Sequence, residues 1–92
     1  MTTAHLSIDK QSNISFDCVN HAGDWDVCTM ITAYCNVLVA ECLRHDVYPT
    51  VYEAGHIHID FEYASDSTKE VFLSVWDAIK ATAEEYPEHI SA

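Results

Sequence analysis

Basic residues are scarce in this chain: four Lys or Arg stand against fifteen Asp or Glu, for a formal net charge of −11. Such a surface repels a phosphate backbone and offers no basic patch, so nucleic acid is not an expected partner. The same field would draw in a basic peptide or protein. Glycine and proline are also sparse, two of each in 92 residues, and nothing reads as a linker. A chain of this length has room for one core, so residues 1–92 are expected to form a single domain. The opening Met-Thr-Thr-Ala-His lacks the basic residues and apolar run of a secretory signal, and no apolar stretch of bilayer length is expected. The expectation is a soluble, intracellular protein with no membrane partner.

A CxxC spacing is missing as well, although four cysteines are present. Cys28, Cys35 and Cys42 fall seven apart on a segment with helical patterning, which puts their Cα atoms about 10 Å apart along one stripe. That separation is too large for a disulfide between neighbours. Free thiols, mostly buried, are the expectation, with no metal or cofactor.

What is present reads as alternating and helical patterns in a fixed order. Residues 5 to 9 and 14 to 18 alternate apolar with polar, and Lys10 to Asn13 between them predicts a turn, hence a hairpin. From Asp26 to His45 there is no Gly or Pro, apolar residues recur at helical spacing, and Arg44 and His45 sit where a helix dipole favours cations. Its polar positions reduce to a line through Thr29, Thr32 and Asn36, so this helix needs covering on most sides, by the sheet and by a second copy of the chain. Met30, Tyr34 and Val37 are the residues expected to stay exposed in an isolated domain. Tyr48 to Glu53 and His56 to Tyr63 predict a second hairpin around Ala54-Gly55. Ser67-Thr68-Lys69-Glu70 has the form of a capping box, and a second helix follows to about Tyr86, stopped by Pro87. The order ββαββα predicts an α+β two-layer sandwich, a four-stranded antiparallel sheet with both helices on one face.

Chemistry is expected in Asn20-His21-Ala22-Gly23-Asp24-Trp25-Asp26-Val27-Cys28, which joins a strand end to a helix start. A thiol in a first helical turn meets the positive end of the dipole and unpaired N–H groups, both of which favour thiolate. Moving a cysteine pKa from about 8.5 to about 6 takes roughly 3.4 kcal/mol. The helix end supplies about 0.3 to 2 kcal/mol of that. A neighbouring imidazolium must supply the rest, and His21 is the histidine whose place in the chain can do so. Asp24 and Asp26 oppose a thiolate unless they cap the helix or orient His21. On spacing alone, Cys28 as one of three core cysteines beside an ordinary loop histidine is the more common arrangement.

His21-Ala22, then Asp26-Val27-Cys28 and Ile31-Thr32-Ala33, resemble the G-H-A…D-I-V-C-A-x-V-S-A signature of the ribosomal-processing cysteine proteases (Prp, YsxB-like). Gly55-His56-Ile57 resembles the family's Gly-His-Leu, and Ala83-Glu84-Glu85-Tyr86-Pro87-Glu88-His89-Ile90 is similar to its closing A-x-x-Y-P-x-x-I. Asn20 stands where the family has Gly, Thr32 where it has Ser, and the loop between His21 and Cys28 has six residues where the family's is longer and thought to cover the substrate. The resemblance implies a homodimeric cytoplasmic thiol protease that trims the N-terminal extension of a ribosomal protein, with relatives serving phage capsid maturation. It implies Cys28 as nucleophile and His21 as base. Asn20, Ala22, Asp24, Asp26, Thr29 and Thr32 are the supporting positions, and backbone N–H groups near residues 28 and 29 are the expected oxyanion donors.

Two other classes remain open on the residues. His56, His58 and Asp60 alternate along one strand and project from one sheet face, a spacing within reach of one metal ion. Alternatively the chain is a non-catalytic dimeric binding module with an inert Cys28, an acidic surface for a basic partner, and Trp25 and Trp76 as interface anchors.

Overall fold

The computed structural model describes all 92 residues, and its first hairpin follows directly from alternation. β1 (Thr2–Ile8) and β2 (Ile14–Val19) pair antiparallel, with Ile8 opposite Ile14, Leu6 opposite Phe16 and Ala4 opposite Cys18. The turn between them is built by Asp9, whose carboxylate accepts from the backbone N–H of Asn13 at 3.0 Å and of Gln11 at 2.8 Å. β4 (His56–Phe61) lies on the other side of β2, so Phe61, Ile59 and Ile57 continue the apolar rows of Ile14, Phe16 and Cys18. β3 (Val51–Glu53) pairs with β4 as an edge strand. Period-two alternation thus leaves one dry face and one polar face.

Two helices cover the dry face. α1 (Trp25–Arg44) turns Val27, Ile31, Cys35, Leu38, Val39 and Cys42 inward, and α2 (Asp66–Glu85) adds Phe72, Val75 and Ile79. Glu41 is also buried. Its carboxylate accepts from the Thr68 hydroxyl at 2.8 Å and meets His45 at 3.1 Å, so the one acid in the core is fully bonded. The Thr68 bond and the His45 contact hold it below the usual carboxylate range against the opposing effect of burial.

The architecture is α+β, as expected, with a sheet of five strands rather than four. β5 (Ile90–Ser91) runs parallel to β1, pairing Ile90 with Thr2 and Ser91 with Thr3, in the order β3-β4-β2-β1-β5. Two residues are too short to show alternation, and Pro87 marks only where α2 stops; the Tyr86 carbonyl accepts from both His89 and Ile90 and turns the chain back to the β1 edge. Other boundaries shift for local reasons. The N-cap of α2 is Ser65, which accepts from Thr68 N–H, so Ser67 falls inside the first turn. β3 begins after Pro49, and β4 ends before Tyr63, whose φ is +51°.

α1 is long and apolar enough to cross a bilayer by length and composition, where the sequence expectation was that no stretch would be. Its buried residues are committed to the core beneath the sheet. Of the three side chains expected to be exposed on it, only Val37 is; Met30 packs on the core, and Tyr34 reaches α2 through its hydroxyl, 3.1 Å from Thr82 Oγ1. Trp76 packs against the core, whereas Trp25 stands almost fully in solvent at 84 % exposure.

Candidate active site

Asp24 starts the site by starting the helix. Its side chain accepts from Val27 N–H at 3.1 Å as the N-cap of α1, and Asp26 lies exposed in the first turn where an acid suits the dipole. Asp24 is therefore occupied as a cap, and neither acid hydrogen-bonds the His21 ring. Gly23, at φ +80°, makes the turn into this cap.

The Cys28 N–H donates to the Asp24 carbonyl at 2.9 Å, and the Thr29 hydroxyl donates to the Trp25 carbonyl at 2.9 Å, so both residues take part in closing the first helical turn. The N–H that does meet the sulfur is Ala22's, which donates to Cys28 Sγ at 3.3 Å.

His21 is fixed from the second hairpin. Gly55 has φ +80°, and a Cβ built on it would lie 3.1 Å from His21 Nε2, so the imidazole rests against bare backbone. Next to it, Asn20 adopts φ +71°, donates its N–H to the Gly55 carbonyl at 2.7 Å, and accepts from the Thr2 hydroxyl at 2.9 Å. The loop before α1 is thus stitched to β4 on one side and β1 on the other.

A cleft of about 490 Å³ opens between this loop, the α1 start and the β3–β4 hairpin. His21, Cys28, Asn20 and Thr32 line it together, with Asn36 and Glu53 from either side. Of the expected site residues, Asp24, Asp26 and Thr29 serve the helix start and Ala22 lies buried behind the sulfur. Sequence reasoning missed His89, whose Nδ1 lies 3.0 Å from the Ala22 carbonyl. Its only signal was its place inside the closing Tyr86 to Ile90 stretch, which gives no hint of a contact 67 residues away.

Comparison with solved structures follows from this geometry. A crystal structure of the essential ribosomal processing protease Prp from S. aureus, in complex with a covalently linked product peptide, superimposes with a TM-score of 0.80 over 99% of this chain and 96% of that one, at 22% identity. This chain has the Prp fold. A hypothetical protein from Staphylococcus aureus matches with a TM-score of 0.67 at 18% identity, again over 99% and 96% of the two chains. No protein-family model and no curated protein sequence matches the chain. The ββαββα order of the Prp fold is therefore present at a sequence identity low enough that fold, not residue matching, carries the likeness.

Within this Prp fold the four thiols are unequal. Cys42 is fully buried and pushed up to about 11, first by burial and then by the Glu41 carboxylate. Cys35 is raised by the neighbouring Cys18 thiol and by burial, while the Cys35 thiol lowers Cys18. Cys18 is nevertheless only 6% exposed, so access limits its chemistry. Cys18, Cys28 and Cys35 all line the cleft, and of the four thiols only Cys28 is half-buried rather than buried.

The polar face of the sheet bears on the alternative reading of His56, His58 and Asp60 as metal ligands. Register places Asp17 of β2 opposite His58, and its Oδ1 lies 2.9 Å from His58 Nδ1 and 3.1 Å from His56 Nε2. Asp60 takes the other His58 nitrogen at 3.1 Å. Both imidazoles are held by carboxylates along the sheet, and no group of His, Cys, Asp or Glu is arranged to hold a metal ion. Alternation along one strand does not reveal Asp17, which comes beside His58 only through the β2–β4 register.

Proposed function

We propose that this chain is a cysteine endopeptidase of the ribosomal-processing type, with Cys28 as nucleophile and His21 as its base. The observation that carries the reading is the joint placement of His21 and Cys28 in one cleft at the start of α1, with Ala22 N–H on the sulfur. His21 takes the thiol proton and holds the thiolate as an ion pair; the sulfur attacks the peptide carbonyl; the imidazolium then protonates the departing amine. Asn20 and Thr32, in the same cleft, are the side chains placed to meet the peptide. The substrate proposed is an N-terminal extension of a ribosomal protein or a phage capsid-type protein, cleaved in the cytoplasm. A net charge of −11 and the one carboxylate in the cleft, Glu53, suit a basic polypeptide. We also propose that the protein acts as a homodimer and comprises a single catalytic domain.

Alkylation by iodoacetamide across pH, read site by site by mass spectrometry, tests the pair. Cys28 is expected to react first at pH 6.5, and His21→Ala to raise its apparent pKa by one unit or more, a loss of at least about 1.4 kcal/mol of thiolate stabilisation. Cys28→Ala is expected to abolish cleavage of peptide substrates without unfolding the chain. Equal reactivity of all four thiols with an unmoved profile in His21→Ala would leave the non-catalytic binding module as the better reading.

A further inference from the structure

The residue that touches the Cys28 sulfur is itself held from the far end of the chain. Ala22 is 2% exposed; its N–H donates to Cys28 Sγ at 3.3 Å and its carbonyl lies 3.0 Å from His89 Nδ1. A carbonyl can only accept, so the contact fixes Nδ1 as the protonated nitrogen of His89. His89 is in turn anchored at both backbone ends: its N–H donates to the Tyr86 carbonyl at 3.0 Å, and its carbonyl accepts from Thr2 N–H at 2.9 Å, immediately before Ile90 joins the sheet. The ring is half-buried. It is a fixed donor set against a residue whose own N–H sets the sulfur's environment.

We infer that His89 is a positioning residue for the Cys28 thiolate: by holding the Ala22 carbonyl it keeps the Ala22 N–H on the sulfur, and it restrains His21 one residue earlier. The inference rests on Cys28 being the nucleophile. Residues 21 to 23 belong to no helix or strand, and the nearest backbone anchors are Asn20, bonded to Gly55 and Thr2, and the Asp24 cap. The Ala22 side chain in the core and its carbonyl on His89 are what fix the direction of its N–H. The Ala22 carbonyl and N–H lie on adjacent peptide planes hinged at the Ala22 Cα, so without the His89 bond the Cα is free to swing and take the N–H off the sulfur, and the thiolate loses a charge-assisted bond.

The test uses three variants and the pH profile of Cys28 alkylation. His89→Phe keeps a ring and its packing but has no donor; His89→Asn keeps a donor near the Nδ1 position; His21→Ala reports on the base. The apparent pKa of Cys28 is expected to rise by about half a unit in His89→Phe, slowing alkylation about threefold at pH 6.5, and to return towards the parent value in His89→Asn. His21→Ala should produce its own, larger rise in the same assay. A His89→Phe profile that superimposes on the parent, with the His21→Ala shift intact, overturns the role of His89 and spares the nucleophile assignment. A rise that is the same in His89→Phe and His89→Asn also overturns it, because the effect would then follow packing and not the donor. A Cys28 no more reactive than Cys42 in the parent protein removes the nucleophile and the positioning role together. Melting temperatures recorded alongside identify a variant that has not folded, and for such a variant the Ala22 amide proton in the parent protein decides: its chemical shift must follow the Cys28 titration, and a shift that stays constant through it overturns the inference.

Discussion

Gly55 is the residue at which a single methyl group should cost the most chemistry. Two penalties coincide there: φ is +80°, which any L side chain adopts at a cost of about 1–2 kcal/mol, and the new Cβ would sit 3.1 Å from His21 Nε2. The contacted atom is the tip of the exposed His21 ring, which must give by a few tenths of an ångström. Gly55→Ala is therefore expected to lower stability by about 1–2 kcal/mol and to slow Cys28 alkylation at pH 6.5 by less than His21→Ala does. A variant that alkylates at the parent rate would show that the imidazole does not need the Gly55 surface. Gly23, with the same φ and nothing within 4 Å of its Cβ position, should bear only the backbone cost.

At the scale of elements, β2 and β4 are joined by more than their ladder. His58 is bonded to Asp17, chiefly, and to Asp60, and this raises its pKa. Burial works against the Asp17 carboxylate, but the bonds to His58 and His56 prevail and lower it. A raised imidazole stabilises the fold fully below its ordinary pKa of about 6.5 and loses that effect as pH rises through the folded value; a lowered carboxylate contributes above about 3.9 and loses it as pH falls through its folded value. The contact is thus at full strength between about pH 4 and pH 6.5. Both side chains are partly exposed, so its size is about 1 kcal/mol or less. Melting curves should show the gap between parent and Asp17→Asn widest near pH 5.5 and narrower at pH 8.5; a gap constant across that range would remove the ion pair from the account. This pairing also marks where the sequence stopped being legible. Long, periodic segments such as α1 and the β1–β2 hairpin announce themselves through spacing, and Asn20 to Cys28 through its position between them. β5 has two residues and no period, Asp17 gains its partners only through a register between strands 39 to 41 residues apart, and His89 acts across 67.

For the whole molecule, the exposed surface of α1 is where the proposed second copy is expected to dock. Val37 is 49% and Leu43 48% exposed on α1, beside the small or lightly polar outward positions Thr29, Ala33, Asn36 and Ala40, with Trp25, Asp26 and Arg44 confined to the helix ends. A row of this kind suits an isologous helix contact between two copies, and the sparse charge along it removes the repulsion that a net −11 would otherwise impose. Sedimentation at micromolar concentration should give the mass of two chains, and Val37→Asp should shift it to one. A monomer in the parent protein would exclude the helix-mediated dimer.

The Thr2–Ile90 pairing bears on the order in which this molecule becomes itself. It closes a ring spanning 88 residues, from position 2 to position 90, and the entropy of closing so long a loop is about 4 kcal/mol. The β1–β2 turn closes over a handful of residues at about 1.5 kcal/mol. Local hairpins and helices therefore assemble before this ladder does. The first 86 residues already contain His21, Cys28 and the capped start of α1, yet nothing in them reaches the Ala22 carbonyl. That contact arrives with the last turn of chain, so a partly made or frayed molecule holds its thiol and its base without the bond that fixes the backbone between them.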